Sequence, residues 1–347
     1  MSRELLIKLR EQGGLSRPEF RQLLAAHEPG LQAEAAALAT ALREQHYGNR
    51  VFIRGLLEIS NYCRQDCFYC GIRCSNRKVQ RYRLSPEQIL ECCEMGYPLG
   101  FRTFVLQSGE DPGYSDELIS DLVREIKLRH PDCAVTLSLG EKNFSAYKAF
   151  REAGADRYLL RHETADAAHF GRLHPLKQSL QNRMRCLQDL RSLGYQVGSG
   201  FMVGSPFQSP QTLAEDLYFL SEFKPEMVGI GPFLPHRDTV FANAKPGDMN
   251  LTLFLLSILR LMLPKVLLPA TTALGSIAPE GREKGVLAGA NVIMPNLSPP
   301  EARDKYMIYN NKLRTGAEGA EGLRLLAEKM RAIGCEIAVD RGDYPDA

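Results

Sequence analysis

The sequence predicts an α/β protein built as one complete (βα)8 barrel of the TIM type, with an N-terminal helical extension and a hollow, polar interior. Three observations carry this expectation. Strand-like and helix-like runs alternate from residue 51 onward, the strand-like runs number eight, and their inward positions are unusually polar. With 347 residues, 44% hydrophobic and 24% charged, the chain has the composition of an ordinary globular protein and is long enough to bury a full core.

Residues 1–50 read as helices only. Ser16 to Glu19 forms a capping box with Pro18 in the first turn, and Leu31 to Gln45 is an Ala/Leu-rich run halted at Tyr47-Gly48. This extension precedes a barrel spanning 51–347. Strands are expected near 51–60, 102–107, 133–139, 156–161, 196–203, 226–231, 266–271 and 290–294. Helices follow near 86–96, 115–128, 144–153, 178–193, 210–222, 250–263 and 281–287, with a closing helix near 317–333. Ser85 to Gln88 caps the first, and Gly154, Gly194 and Gly289 stop others. Closure fixes a barrel's strand count, so eight such units fit a barrel better than an open sheet.

Period-2 reading separates the two faces of each strand. In the first, Val51, Ile53, Leu57 and Ile59 share one face, while Phe52, Arg54, Leu56, Glu58 and Ser60 share the other. In the third, Val135, Leu137 and Leu139 oppose Thr136, Ser138 and Gly140; in the fourth, Arg157, Leu159, Arg161 and Glu163 lie together. Barrel interiors are usually filled by branched apolar side chains. Inward charges therefore point to a cavity for a polar or anionic ligand, the alternative being ion pairs inside a packed core.

Lys and Arg total 43 against 41 Asp and Glu, a net charge of +2 with no charge blocks, which argues against a nucleic-acid or membrane-surface binder. The start, MSRELLIKLREQGG, has no export-signal pattern, and the apolar stretch Leu251 to Pro264 is short and carries Arg260. A cytoplasmic protein with no membrane segment is expected. Nine cysteines in such a chain suggest thiolate ligands and free thiols rather than a disulfide framework.

Three of those cysteines form the spacing CxxxCxxC, as Cys63, Cys67 and Cys70, directly after the first strand, where barrel enzymes place their chemistry. Structural zinc sites usually pair two such halves, and no second half follows. Three clustered thiolates can instead hold three irons of a 4Fe-4S cube and leave the fourth iron open.

The motif, with aromatic Tyr69 ahead of its third cysteine and in this position, resembles that of radical S-adenosylmethionine (SAM) enzymes. Further strings, VLQSGEDP (105–112), TLSLGE (136–141), DRYLLRHET (156–164), MVGIGPFLPH (227–236), LPATTALGSI (268–277) and GANVIMPN (289–296), are similar to the HydE-type maturases of FeFe-hydrogenase over nearly the whole chain. Methylornithine synthase and biotin synthase are more distant cousins.

The resemblance implies one 4Fe-4S cluster with an open iron, held by Cys63, Cys67 and Cys70, with Cys74 a bystander thiol. It implies SAM bound by Tyr69, Gln107, Ser108, Gly109, Glu110, Ser138, Glu141, Arg161, Glu163, Arg183, Met202 and Met294. Arg183 would pair with the methionyl carboxylate, and the Ser108-Gly109-Glu110 backbone would hold the amino group. Substrate contacts would come from Arg54, Arg157, Thr271, Thr272, Tyr306 and Tyr309, with His236 a weaker candidate.

The activity implied is reductive cleavage of SAM to a 5'-deoxyadenosyl radical. That radical would act on a small sulfur-containing, cysteine-bound iron carbonyl/cyanide species during assembly of the hydrogenase di-iron subcluster. Implied partners are an electron donor such as ferredoxin or flavodoxin, and HydG-type and HydF-type maturases. After Cys186 only Cys335 remains, so no second cluster is expected. Two alternatives are an amino-acid-directed radical enzyme of the methylornithine or biotin synthase kind, and a non-catalytic iron-sulfur carrier or scaffold. The polar interior and the SGED run weigh against a carrier.

Overall fold

The computed structural model describes residues 2–313 and 319–345. Three helices open the chain: α1 Ser2–Gln12, α2 Arg17–Ala25 and α3 Pro29–Tyr47. The α2 cap is the expected one, the Glu19 carboxylate accepting the Ser16 N–H at 3.0 Å. Leu6, Leu9, Phe20 and Leu23 are fully buried in the same apolar cluster that surrounds the strands, so the extension covers the outer helical layer.

Strands β1 Arg50–Ile53, β2 Gly55–Ser60, β3 Thr103–Ser108, β4 Ala134–Ser138, β5 Arg157–Leu159, β6 Gln196–Ser199 and β7 Met202–Val203 come next. β8 Met227–Val228, β9 Gly231–Pro232, β10 Val292–Ile293 and β11 Glu336–Ala338 complete the set. Between them run α4 Pro86–Gly96, α5 Asp116–Arg129, α6 Phe144–Glu152, α7 Ala167–Leu173, α8 Leu180–Ser192 and α9 Pro210–Phe223. Then come α10 Met249–Met262, α11 Thr272–Ile277, α12 Gly281–Leu287, α13 Pro300–Arg303 and α14 Leu323–Ala332. No helix among the described residues is long and apolar enough to cross a membrane.

Six parallel strands lie in the order β2-β3-β4-β5-β6-β8. Single parallel bridges continue the path, Met227 to Leu267 and Pro269 to Val292, and β10 pairs with β1, which runs into β2. The pairing path therefore returns to the strand where it began. Outward residues Val51, Ile53, Leu57, Val135 and Leu137 are buried under the helices, as the alternation predicts.

Several boundaries differ from expectation. The first strand breaks at Arg54, the fifth and sixth each split into two short pieces, and the seventh, near 266–271, is reduced to the two bridges at Leu267 and Pro269. A helix begins at Thr272, directly after that expected strand, with Thr271 at its N-cap. The closing helix begins at Leu323; the start of its expected range, residues 317 and 318, lies outside the described residues. An unforeseen strand, β11, pairs with β1 on the side opposite β10.

The interior divides into two storeys. Arg54 and Arg157, expected to touch substrate, instead sit on the floor at the N-terminal ends of the strands, and neither lines the central cavity. The reason is electrostatic. Wholly buried Arg157 donates to Asp343 Oδ1 at 2.6 Å, the Arg341 carbonyl at 2.8 Å and Thr103 Oγ1 at 3.0 Å, so residues 341–343 seal the barrel from below. Arg54 reaches Met227 Sδ at 3.0 Å and the Gly342 carbonyl at 3.4 Å. Burial, and then the neighbouring Arg157, pull its guanidinium well below its usual range. The lower storey is thus the packed, ion-paired alternative, and the upper storey is hollow.

Candidate active site

The upper storey is a cavity of about 360 Å³ at the C-terminal ends of the strands. The loop after β2 forms one wall and carries Cys63, Cys67 and Cys70, all three of which line the cavity. Its backbone is pinned at both flanks of the motif: Arg64 N–H donates to the Glu110 carbonyl, Phe68 N–H to Leu173 and Gly71 N–H to Ile308, each at 2.9 Å. Asp66 and Arg73 form a two-pronged ion pair at 2.7 and 2.8 Å across the loop, and Arg81 donates to four of its carbonyls. Cys74 is exposed and does not line the cavity.

Gly109 explains how the end of β3 approaches this loop. A Cβ there would lie 2.3 Å from the Tyr62 carbonyl oxygen and 2.7 Å from Cys63 Cβ, so only glycine lets the 108–110 backbone pass the first cysteine. The Glu110 carboxylate is already engaged, accepting from Gln65 at 2.7 Å, Arg64 at 2.9 Å and the Glu141 N–H at 2.9 Å. Its side chain therefore braces the cysteine loop, leaving the backbone to face the cavity.

On the opposite wall, Arg183 is buried and donates to Glu141 Oε1 at 2.6 Å and to the Arg161 carbonyl. Glu141 itself does not line the central cavity; it stands behind Arg183 and orients it. Arg161 donates to Glu163 at 3.0 Å. Glu163 holds a left-handed backbone, φ 66°, which a non-glycine residue adopts at a cost of about 1–3 kcal/mol. Its N–H is fixed by the Gly200 carbonyl at 3.0 Å. Such strain is characteristic of residues aimed into a site.

Tyr69, Gln107, Ser108, Ser138, Met202, Met294, Thr271, Thr272, Tyr306 and Tyr309 also line the cavity. Gln107 donates to the Tyr306 hydroxyl at 3.3 Å, tying the 306–309 loop to β3. His236 lies outside the lining and packs against Gly71. Sequence reasoning missed Glu58 as a partner of Lys312: the two form a buried ion pair, and Asn296 donates to the other Glu58 oxygen at 2.9 Å. It also missed Gln178, whose Oε1 accepts the Cys67 thiol at 3.5 Å.

The donor set suits a cluster. Burial pushes the Cys67 thiol up to about 12 and raises Cys63 and Cys70 as well, so the free thiols are protonated and iron must displace those protons. Among the described residues no three His, Cys, Asp or Glu groups gather as ligands of a single ion; a cube spreads its irons, one thiolate to each. Three buried polar atoms on cavity-lining residues have no protein partner: Arg161 Nε, Gln178 Nε2 and Thr271 Oγ1. Orphaned groups of this kind fit an enclosure that holds a polar ligand. The remaining cysteines, Cys92, Cys93, Cys133, Cys186 and Cys335, are buried as small apolar residues.

Comparisons with known proteins agree with this geometry. Residues 57–220 match the Radical SAM superfamily. The [FeFe] hydrogenase maturase subunit HydE of Thermotoga maritima is 47% identical over 311 residues, covering 90% of this chain and 88% of the relative. A 3-methylornithine synthase of Methanosarcina barkeri is 30% identical, covering 92% and 89%. Among solved structures, methylornithine synthase PylB superposes with TM-score 0.81 at 26% identity over 96% of this chain and 97% of its own. The maturase HydG superposes with TM-score 0.82 at 20% identity over 97% and 76%, a likeness of fold alone. A cysteine loop, a hollow upper storey and a relative of nearly matching length together establish that the chain is a radical SAM enzyme, whose cofactors are a 4Fe-4S cluster and SAM, and that it belongs to the HydE family.

Proposed function

We propose that this enzyme serves FeFe-hydrogenase maturation, using SAM-derived radical chemistry on a small, sulfur-containing, cysteine-bound iron carbonyl/cyanide species inside the barrel. The observation that carries the reading is the 47% identity to a HydE maturase across 90% of the chain, combined with one cavity that joins the cysteine loop to the threonine wall. When bound, the cluster and SAM supply a one-electron reductive cleavage that yields the 5'-deoxyadenosyl radical.

The chain's own residues bind, orient and exclude water. Cys63, Cys67 and Cys70, which line the cavity together, would hold three irons of the cluster and leave the fourth without a protein thiolate. Around SAM, Arg183, whose Nε and Nη1 are taken by Glu141 and the Arg161 carbonyl, would offer its remaining guanidinium nitrogen to the carboxylate, and the Ser108 to Glu110 backbone would accept from the ammonium. Ser138, Arg161 and Glu163 surround the ribose, with Tyr69, Gln107, Met202 and Met294 filling the walls. Thr271, whose hydroxyl lacks a protein partner, and Thr272 present donors to the substrate's anionic or cyanide end. Tyr306 and Tyr309 close the mouth, keeping water from a reactive intermediate. An electron donor and HydG-type and HydF-type maturases complete the system, and the reading places it in the cytoplasm.

Anaerobic reconstitution with iron and sulfide, followed by dithionite and SAM, tests the reading. The native chain should release 5'-deoxyadenosine, and Cys63→Ala/Cys67→Ala/Cys70→Ala should not. Synthetic cysteinyl iron carbonyl/cyanide complexes should be consumed with it. Turnover of an amino acid in their place, with the iron complexes untouched, would favour methylornithine-like chemistry.

A further inference from the structure

The surface around the cysteine loop carries a charge and shape that the reaction inside the barrel does not explain. Six exposed cations stand on this loop and on the segments that follow α7 and β9 or lie within α7: Arg64, Arg77, Lys78, Arg172, Lys177 and Arg237. Lys78 is 79% exposed and Arg237 83% exposed, whereas the chain as a whole carries only +2. Carboxylates offset part of this charge, Glu110 pairing with Arg64 at 2.9 Å, Asp238 with Lys78 at 2.8 Å and Asp66 with Arg73 at 2.7 Å, but among the described residues Arg77, Arg172 and Lys177 form no ion pair, so the loops keep a net positive charge.

Apolar side chains stand among these cations. Leu176 is completely exposed, Val240 is 65% exposed and Phe207 is 48% exposed. Phe207 also has a left-handed backbone, φ 69°, an outlier for a bulky residue. The Arg172 guanidinium lies 3.2 Å over its ring, and Phe241 packs on it at 5.9 Å. Backbone strain spent on holding an aromatic ring outward is characteristic of a binding surface.

The rim also adjoins the cluster ligands directly. Lys177 Nζ donates to the Arg64 carbonyl at 3.0 Å, one residue from Cys63. The Leu173 carbonyl accepts the N–H of Phe68, one residue from Cys67, and Leu176 lies two residues from Gln178, which touches Cys67.

We infer that this rim docks a small acidic electron-transfer protein that reduces the cluster. The inference rests on the cluster assignment made above. A partner of that kind supplies one electron from a reduced flavin or iron-sulfur centre, its centre being oxidised by one electron as the 4Fe-4S cluster passes from the 2+ to the 1+ state. Carboxylates around the donor's centre would face the six cations, and an apolar spot would meet Leu176 and Phe207. Complementary charge sets the rate and register of such encounters.

The test uses the reconstituted full chain with flavodoxin as the acidic probe. Binding is measured against ionic strength, and cluster reduction by flavodoxin hydroquinone is followed by stopped-flow absorbance. Affinity should fall at least about tenfold between low and physiological salt, since exposed charges are screened there. Arg172→Glu/Arg237→Glu should weaken binding by about tenfold more at low salt and slow flavodoxin-driven reduction by a like factor, with reduction by dithionite unchanged. Leu176→Ser should weaken binding at every salt concentration. Salt-independent binding, or a charge-reversed variant that binds and accepts electrons like the native chain, would overturn the inference. So would a HydG-type or HydF-type maturase occupying this rim while flavodoxin does not bind. A cluster that dithionite reduces without cleaving SAM would refute the proposed function alone, because binding and reduction are read without turnover.

Discussion

Asp343→Asn tests whether the barrel floor is locked by charge. The substitution keeps the shape of the side chain and removes the carboxylate that wholly buried Arg157 bonds at 2.6 Å. Arg54, also buried, lies close enough to act on the same charge. Breaking a buried ion pair from one side costs about 3–5 kcal/mol; because the Asp343 side chain is 35% exposed, water relieves part of that, and about 2–3 kcal/mol is expected. Unfolding entropy of about 2.1 cal/mol/K per residue gives about 0.7 kcal/mol/K for 347 residues, so Tm should drop by about 3 to 4 °C.

Calorimetry of native and variant chains at pH 7 reads this directly. Burial alone would raise the Asp343 carboxyl, but Arg157 and then Arg341 and Gln196 hold it down to about 2. A depressed carboxyl contributes its stability above its unfolded value of about 3.9 and loses it as pH falls toward 2. The gap between the two chains should therefore be flat from about pH 5 to 8 and narrow below pH 4. A Tm unchanged within about 1 °C at pH 7 would refute the charge argument for the floor.

Other outcomes follow from the upper storey and its surroundings. Lys312→Met strands the fully buried Glu58 carboxylate and should destabilise the chain by about 3–5 kcal/mol, measured by urea unfolding, while Lys312→Met/Glu58→Leu recovers most of the loss. Gly109→Ala forces a Cβ to within 2.7 Å of Cys63 Cβ, so iron retained per chain after reconstitution should fall severalfold while far-UV circular dichroism stays native. Burial pushes His162 and His174 down to about 3, below the unfolded value, so the unfolded chain binds more protons and stability is lost as pH falls from about 6.5 toward 3. Each histidine should contribute about 1.4 kcal/mol per pH unit in that window. Urea unfolding at pH 5 and 6 checks this, and His174→Gln should lower the slope by about that one histidine's share, about 1.4 kcal/mol per pH unit at most.

The cysteine loop was legible because its chemistry is local: three thiols and an aromatic within eight residues, on a loop whose place follows from the strand before it. Strand alternation, which separates inward from outward side chains, made Leu56, Glu58, Ser138, Leu159, Arg161 and Glu163 legible as cavity residues; the others expected around SAM and substrate came only from the family resemblance. Alternation does not give depth along the barrel axis, and there the expectation failed. Arg157 and Glu163 share a face, yet one is the first residue of β5 at the floor and the other lies past its end at the rim. The Glu58–Lys312 pair was not legible, since its members lie 254 residues apart and the lysine comes from an irregular loop. Likewise β11 is short, with alternating but half-exposed residues, and pairing with β1 rather than any intrinsic pattern makes it a strand.

The floor also sets the timing of assembly on the ribosome. Arg157 sits in β5, but the carboxylate that neutralises it lies 186 residues later. At synthesis rates of about 5–20 residues per second, that guanidinium has no Asp343 to pair with for roughly 10 to 40 seconds. The half-made barrel must meanwhile keep its lower end hydrated, so residues 341–343 act as a keystone: the upper chamber has all its lining once Lys312 has been made, and the floor is neutralised only when residues 341–343 arrive.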